Sequence, residues 1–340
     1  MTLDAIQFTR RLVDIESITY NEGAVGYFLA EFLEGRGFAV ERMPVPHPSE
    51  SRFAGERFNV YAGLPGETPD VVFSTHMDTV PPFIASSEDD EFIYGRGSCD
   101  AKGIIAAQVA AVERLRDTRV KAGLLFVVGE ERDSAGAKFA NQHPRGSRFL
   151  INGEPTDNRL ALASKGALRV TVKATGKMAH SAYPELGDSA INKLVKTLGR
   201  FLEIELPTQP DVGPSTINIG LIEGGRATNV IADHAEAQML IRLVGPSEEI
   251  REALKAAAKD LAELDFTLEI PFVRMRKLDG LDTMIAAFTT DIPALTNWGE
   301  PVLLGPGSIH VAHTPFEKLA KQELARAIDL YTDVAQRLAG

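Results

Sequence analysis

Residues 70–78 read Asp-Val-Val-Phe-Ser-Thr-His-Met-Asp, a short apolar run that ends in a histidine and an aspartate two residues apart. The run is rich in β-branched and aromatic residues and does not alternate, as is typical of a strand buried on both faces of a sheet. Two later stretches repeat the arrangement: Gly123-Leu-Leu-Phe-Val-Val-Gly leads into Glu130-Glu131, and Arg148-Phe-Leu-Ile-Asn leads into Gly153-Glu154. The pattern predicts a mostly parallel sheet with ionisable residues just beyond its strands.

Helical patterns alternate with these strands over the first 160 residues. Apolar residues from Val25 to Leu33 recur at helical spacing, and small apolar residues predict a second helix over about 103–116. Gly35 and Gly37 can end the first helix, and a strand is expected at 38–43. This alternation predicts an α/β layer fold.

The pattern changes after Lys165-Gly166. Strands that alternate between apolar and polar residues are now interleaved with two helices in the order β-α-β-β-α-β, which is the ferredoxin-like arrangement. The α/β character returns after Leu278 and ends in a helix predicted over 315–338. We therefore expect a catalytic domain formed by 1–166 and 278–340, with an inserted domain of 167–277.

Composition excludes several classes of protein. The 340 residues include 36 Lys+Arg against 47 Asp+Glu, for a net charge of −11, so a nucleic-acid partner is not expected. The first residues contain no long apolar run, so we expect neither a signal peptide nor a membrane span. The single cysteine, Cys99, allows no internal disulfide and predicts a reducing, cytoplasmic environment.

The residues beyond the strands predict a metal site. Ligands bind outside the carboxyl ends of strands in open α/β sheets, and Asp100 stands at the entrance to a helix near the same edge. Crowded carboxylates repel one another unless cations neutralise them. Imidazole with carboxylate suits zinc, cobalt or manganese better than calcium. On a strand His76 and Asp78 share a face, so Asp78 can orient the imidazole.

Five motifs carry a resemblance to a known family: STHMDTVPP (74–82), YGRGSCDAKGIIAA (94–107), GEERDSAGAK (129–138), NGEPTDN (152–158) and GPGSIHVAHTPFEKL (305–319). They resemble motifs of the co-catalytic zinc metallopeptidases, which include acetylornithine deacetylase, succinyl-diaminopimelate desuccinylase, aminoacylase and carboxypeptidase G. The resemblance covers nearly the whole chain. It is strongest to acetylornithine deacetylases in residues 305–319. It implies a catalytic domain of the zinc aminopeptidase type with an inserted dimerisation, or lid, domain.

The resemblance also implies a two-zinc site, in which cobalt or manganese could replace zinc. Asp100 would bridge the ions. His76 and Glu154 would hold one ion, and Glu131 and His313 would hold the other. Glu130 would be the general base that activates water and later protonates the leaving amine, a division of labour that adjacent glutamates pointing in different directions allow.

The inserted domain matches the family in GKMAHSAYPELGDSAI (176–191) and GGRATNVIADHAEAQMLIRL (224–243). By resemblance, His180 reaches the active site across a homodimer and donates to the oxyanion. Asn229 and Arg242 would hold the substrate carboxylate, and Gly305 and Gly307 would let the backbone approach the substrate.

These inferences predict a cytoplasmic, homodimeric amidohydrolase that cleaves the N-acyl bond of a small amino acid such as N-acetylornithine. Within the same chemistry, the alternatives are a succinyl-diaminopimelate desuccinylase, an acetyl-lysine or acetyl-citrulline deacetylase, and a dipeptidase or carboxypeptidase. Outside it, the alternatives are a non-catalytic metal-binding protein and a thiol hydrolase that uses Cys99. His310 is the nearest competitor to His313 as a ligand.

Overall fold

The central strands of the larger sheet are wholly buried, as their continuous apolar runs predict. The computed structural model describes residues 3–49, 51, 53 and 55–340. The chain divides into two units: one comprises Met1–Leu162, Met275–Met284 and Thr290–Gly340, and the other comprises Ala163–Arg274 and Ile285–Thr289. The sequence motifs with ionisable residues at strand ends all belong to the first unit.

The sheet of the first unit is mixed, with a parallel centre. Its strands lie in the spatial order Ala39–Pro44, Phe58–Gly63, Ala122–Val127, Val71–His76, Phe149–Asn152, Glu300–Leu303 and Leu160–Ser164. The four from Ala122–Val127 to Glu300–Leu303 are parallel, and the first two pair antiparallel. The strands at 122–127, 71–76 and 149–152 are direct neighbours. Their carboxyl ends therefore lie side by side.

Helices cover this sheet: Ala5–Val13, Gly23–Gly35, Lys102–Leu115, Ala135–Ala140 and Lys321–Ala339. The helix Lys102–Leu115 is buried along nearly its whole length, because it packs against the sheet and against the first and last helices. Its run of alanines and isoleucines makes close packing on several sides possible. This helix begins two residues after Asp100, so that aspartate is held by a rigid element.

The last helix begins later than the sequence pattern predicts. It starts at Lys321 rather than at 315, because Lys318–Ala320 form a strand that pairs antiparallel with Phe92–Tyr94. Ser87–Glu88 complete this small three-stranded sheet. Leu319 at its centre is fully buried. The pairing brings Glu317 against the loop that carries Asp100.

The second unit contains a four-stranded antiparallel sheet in the order Thr216–Gly224, His234–Leu243, Gly166–Thr175 and Glu263–Ile270. The helices Ala190–Leu202 and Glu248–Ala258 pack on it. Along the chain the elements run β-α-β-β-α-β, and the sheet order is that of the ferredoxin-like fold. The fold class predicted from the sequence is confirmed.

The remaining elements are short. They are the strands Thr208–Gln209, Gly213–Pro214, Val273–Arg274 and Thr283–Ala286 and the 3₁₀ turns Pro184–Leu186 and Ile292–Ala294. Within the described part of the chain, no helix combines the length and the apolarity needed to cross a membrane.

Candidate active site

The carboxyl edge of the parallel strands carries the ionisable residues of the first unit. His76 is the last residue of its strand, and Glu131 and Glu154 follow the ends of the two flanking strands by a few residues. Gly129 turns the chain at the first of these exits with φ +80°, and a Cβ there would lie 2.6 Å from Nη2 of Arg57. Only glycine combines this positive φ with the absence of a Cβ that would contact Arg57, which explains its place before the two glutamates.

Asp100 lies between two sets of side chains. Its Oδ1 is 2.9 Å from Nε2 of His76, and its Oδ2 is 3.4 Å from Nε2 of His313. The same His313 nitrogen lies 2.9 Å from Oε1 of Glu131. The two oxygens of one carboxylate therefore face two different groups of ligand-type atoms, as a bridging carboxylate would.

Two groups of three residues could each hold a metal ion. In the first, His76, Asp100 and Glu154 offer ligand atoms within 4.8 Å of one another. In the second, Asp100, Glu131 and His313 do the same. Below we call these the first and second clusters. A donor set of imidazole nitrogens and carboxylate oxygens suits zinc, cobalt and manganese. The residues therefore fit a pair of divalent cations.

The shifted pKa values of the cluster residues also indicate a site for cations. Burial, with the nearby charge of Asp100, raises the pKa of Glu154 well above its usual range. Hydrogen bonds to Asp100 and Glu131 raise the pKa of His313 to about 10. Burial alone would lower the pKa of His76, but its hydrogen bond to Asp100 and the surrounding carboxylates raise it well above its usual range. Histidines and glutamates here both tend to hold protons because the site lacks positive charge, which divalent cations would supply.

Glu130 stands beside the clusters without belonging to either. Burial and the charge of Glu154 raise the pKa of its carboxyl well above the usual range. Its backbone N–H donates to Oδ1 of Asp78 at 3.1 Å, and the N–H of Glu131 donates to Oδ2 at 3.2 Å. The turn that carries both glutamates is thus held by one buried aspartate.

The contacts of Asp78 differ from those that the sequence suggests. Nδ1 of His76 lies 2.9 Å from the backbone carbonyl oxygen of Asp78 but 3.7 Å from its carboxylate, which is too long for a hydrogen bond. The carboxylate instead accepts from Oγ1 of Thr19 at 2.8 Å and from the two glutamate amides. The main chain therefore orients the imidazole, while the side chain orients the turn at 130–131.

Three predicted site residues belong to the second unit. His180 and Asn229 are exposed; Nδ1 of His180 accepts a hydrogen bond from the backbone N–H of Ala182 at 3.1 Å. Arg242 lies in the strand His234–Leu243 and is partly buried, which lowers the pKa of its guanidinium. Among the described residues, that guanidinium has no hydrogen-bond or ion-pair partner, so it is free to bind an anion.

Gly305 and Gly307 have reasons within the fold to be glycine. A Cβ at Gly305 would lie 2.5 Å from the backbone oxygen of Glu154, and one at Gly307, whose φ is +83°, would lie 2.5 Å from Sγ of Cys99. The predicted approach to a substrate is therefore not needed to explain either glycine. Both let the 305–307 loop pack against segments that carry cluster residues.

Sequence reasoning assigned no role to three further residues around the clusters. Glu317 and Arg96 form a buried ion pair, and Oε1 of Glu317 accepts from the backbone N–H of Asp100. Thr19 donates to Asp78. Both Glu317 and Arg96 lie inside the quoted motifs, so a charged side chain within a motif was the signal that could have indicated a role for them. Thr19 lies outside every motif, so only the structure could find it.

The two residues that competed with the proposed ligands take no part in the clusters. His310 is exposed and belongs to neither cluster. Cys99 is fully buried, and burial raises the pKa of its thiol well above the usual range. A thiol held in the neutral form is a poor nucleophile.

Comparisons with known proteins agree with this fold. Residues 162–266 match the family described as "Peptidase dimerisation domain". Among solved structures, a tripeptidase from Staphylococcus aureus superposes with a TM-score of 0.81 at 23% identity, over 98% of each chain. An M20 family metallo-carboxypeptidase from Sulfolobus solfataricus gives a TM-score of 0.75 at 16% identity, over 99% of this chain and 100% of that one. At these identities the likeness concerns the fold alone.

Two sequence relatives share a higher identity with this chain than these solved structures do. A peptidase M20 domain-containing protein of Schizosaccharomyces pombe is 39% identical over 96% of this chain and 82% of its own length. A probable carboxypeptidase of Aspergillus terreus is also 39% identical, over 96% of this chain and 84% of its own. Identity of this extent, over nearly the whole chain, confirms the expected relationship to metallopeptidases. The chain is a hydrolase of the M20 peptidase family.

Proposed function

We propose that this protein hydrolyses the amide bond that joins a C-terminal amino acid to an acyl or peptidyl group, with two divalent cations at the first and second clusters. The observation that carries the proposal is the placement of Asp100, whose two carboxylate oxygens face His76 and His313. An aspartate with a different ligand set on each oxygen suits a two-metal site better than a single-ion site.

His76, Asp100 and Glu154 would hold one ion, and Asp100, Glu131 and His313 would hold the other. When bound, such a pair lowers the pKa of water and polarises the amide carbonyl. We propose zinc as the native metal, with cobalt or manganese able to replace it, because the donors are imidazole and carboxylate.

Glu130 is the residue that moves protons in this proposal. It is adjacent to a cluster residue, and burial raises the pKa of its carboxyl well above the usual range, so this carboxyl takes up a proton more readily than an exposed glutamate does. Its carboxylate accepts the proton of the attacking water and then donates it to the leaving nitrogen. The amide bond breaks, and a carboxylic acid and an amine are released.

Binding of the substrate is assigned to the second unit. Arg242 and Asn229 would hold the substrate carboxylate. The guanidinium of Arg242 has no partner among the described residues. A guanidinium binds a carboxylate through two parallel hydrogen bonds. His180 would donate to the developing oxyanion. These roles rest on the sequence resemblance, and Gly305 and Gly307 are not needed for them.

We propose that the chain acts as a homodimer in the cytoplasm. The match to a dimerisation domain supports the dimer. Apolar side chains are also exposed on one helix and the edge strand of the second unit: Ile191, Val195, Leu202, Leu221 and Ile222. Apolar groups concentrated in this way are typical of interaction surfaces. The single, unpaired cysteine supports a reducing compartment.

Two substrate classes remain within the proposed chemistry. The resemblance of residues 305–319 to acetylornithine deacetylases favours small N-acyl amino acids, with N-acetylornithine as the specific candidate. The relatives named as probable carboxypeptidases favour short peptides instead. Both classes present a carboxylate beside the scissile amide, which is the feature that an unpaired arginine would recognise.

A panel of substrates tests the proposal. The zinc-loaded protein is incubated with N-acetyl and N-succinyl amino acids and with dipeptides and tripeptides, and the released amine is measured. Each good substrate is also tested as its C-terminal amide, which lacks the carboxylate. We expect hydrolysis of at least one class, loss of activity on the amide, inactivation by a chelator and recovery with zinc or cobalt. Rates that do not depend on metal would refute the two-metal site.

A further inference from the structure

Glu317 is a buried acidic side chain that the proposed mechanism does not use. It is fully inaccessible to solvent, yet it belongs to neither cluster. Its Oε1 accepts three backbone hydrogen bonds from the loop before the helix Lys102–Leu115: from the N–H groups of Gly97 at 2.8 Å, Cys99 at 3.2 Å and Asp100 at 3.1 Å. One oxygen therefore organises three amides of the loop that ends in the shared aspartate.

The loop depends on this carboxylate for its shape. Gly97 has φ +89°, and a Cβ there would lie 2.9 Å from Cγ2 of Thr79, so the chain turns tightly at this point. Backbone N–H groups that converge in such a turn form an anion site. A buried N–H without a partner is unfavourable, so removal of the acceptor would favour a different loop conformation.

Arg96 gives the carboxylate a buried partner of opposite charge. Its guanidinium pairs with Oε2 of Glu317, and both side chains are almost completely buried. The Arg96 backbone is itself anchored, because its N–H donates to the carbonyl of Ile84 at 3.0 Å. A buried carboxylate without such a partner would be strongly unfavourable.

Glu317 also anchors the segment that carries His313, which lies four residues earlier. Its backbone carbonyl accepts from the N–H of Gly95 at 3.2 Å. Thr314 ties the intervening turn, since its Oγ1 donates to the carbonyl of Val311 at 2.7 Å and accepts from the N–H of Phe316 at 3.2 Å. Phe316 is 80% exposed and so contributes little anchoring, which leaves Glu317 and the paired strand after it to fix this end of the turn.

We propose that Glu317 is a positioning residue that sets the placement of Asp100 and His313 relative to each other, and thereby the metal affinity of the second cluster. The proposal rests on the two-metal site described under Proposed function. Two of the three second-cluster residues belong to segments that meet at this one carboxylate. Glu131, the third, is held separately by Asp78.

Glu317→Gln tests the proposal with little change in volume. An amide can direct its oxygen toward the three backbone N–H groups only by turning its NH₂ group toward Arg96, where donor would face donor. Metal binding to the metal-free protein is measured by calorimetry with zinc, and the visible spectrum of the cobalt-loaded protein reports the ligand geometry. Loss of supporting contacts around metal ligands costs about 10–100-fold in metal affinity. We expect a loss of that size for one of the two ions and an altered cobalt spectrum.

Leu29→Ala is the matched control for lost stability. Leu29 is fully buried in the core of the same unit, on the helix Gly23–Gly35, and it belongs to neither cluster. Its truncation leaves a cavity in the core and destabilises the fold. We expect wild-type affinity and spectrum for both ions in this variant, so general destabilisation alone cannot produce the expected result.

The outcomes separate the two proposals. If the wild-type protein binds no pair of ions, the proposed function fails. If it binds two ions and Glu317→Gln binds them with the same affinity and cobalt spectrum, only the role of Glu317 is refuted. If Glu317→Gln does not fold, Glu317→Asp provides the test, because it keeps the charge opposite Arg96 but is one methylene shorter. A loss of about tenfold for one ion in that variant supports the proposal; wild-type affinity for both overturns it.

Discussion

Asp78→Asn tests whether this aspartate acts through the main chain of residues 130–131 or through the imidazole of His76. The side chain is completely buried and accepts three hydrogen bonds. Asparagine has the same shape, but its NH₂ group must replace one of the two oxygens. In either orientation that NH₂ group faces a backbone N–H, of Glu130 or of Glu131.

The magnitude follows from those contacts. A hydrogen bond to a charged acceptor contributes about 1.5–3 kcal/mol, and a stranded buried N–H costs about 1–3 kcal/mol. We therefore expect a loss of roughly 3 kcal/mol or more in the free energy of unfolding. For a unit of this size, each kcal/mol lowers Tm by about 2–4 °C, so the expected decrease is about 6–12 °C.

We also expect a lower catalytic rate, because the substitution displaces Glu130. Because the turn that carries Glu130, the proposed proton-transfer group, is no longer held, we expect kcat in saturating zinc to fall about 10–100-fold while both ions stay bound. Thermal unfolding and kcat are measured in saturating zinc, and the metal content is determined by elemental analysis. Thr19→Val serves as the control, since it removes one of the three hydrogen bonds, at a cost of about 1.5–3 kcal/mol, and leaves both backbone N–H groups with their acceptor.

Two results would refute this reasoning. A variant with unchanged Tm and kcat would show that the turn does not depend on Asp78. Loss of an ion from the cluster that contains His76, with the turn at 130–131 intact, would show that the carboxylate acts on the imidazole despite the 3.7 Å separation.

Four further predictions concern individual side chains. Glu130→Gln should lower kcat by about 10²–10⁴-fold, because proton transfer is lost, while elemental analysis still finds two ions; full activity would contradict its role. His180→Ala should lower kcat by about 10²–10³-fold, with the dimer intact in gel filtration, whereas wild-type kinetics would exclude an oxyanion contact. Cys99→Ala should remain active on the best substrate of the panel, since burial keeps the thiol neutral; an inactive but folded variant would revive the thiol mechanism. Burial raises the pKa of Asp291 from 3.8 to about 6, so the metal-free folded protein binds this proton more tightly than the unfolded chain and loses about 2 kcal/mol of stability as pH rises from 4 to 6. Asp291→Asn should lack that part of the loss in urea unfolding at the two pH values, and identical pH dependence in both proteins would count against it.

The parallel centre of the large sheet could be predicted because a strand buried on both faces must be apolar throughout. The run at 122–127 satisfies this condition, and the run at 71–76 satisfies it over its first three residues; both strands are wholly buried. The ferredoxin-like order of elements in the second unit could also be predicted, since apolar and polar residues alternate along its strands with a period of two. The start of the last helix was not, because the strand pairing of Lys318–Ala320 is a contact between segments more than 200 residues apart.

Residue type and position in the chain indicated the candidate site: His76, Glu131 and Glu154 lie at or just after the ends of buried neighbouring strands and therefore meet at one sheet edge. Only the tertiary structure decided how the site is supported. The sequence suggests that the Asp78 carboxylate orients His76, whereas in the fold it holds the amides of Glu130 and Glu131. Glu317 gives no local sign of its contacts, since its partners lie about 220 residues away. The chemistry of a side chain depends on its residue type and can be inferred from the sequence. The hydrogen bonds that position the side chain join distant segments, and these bonds exist only once the chain has folded.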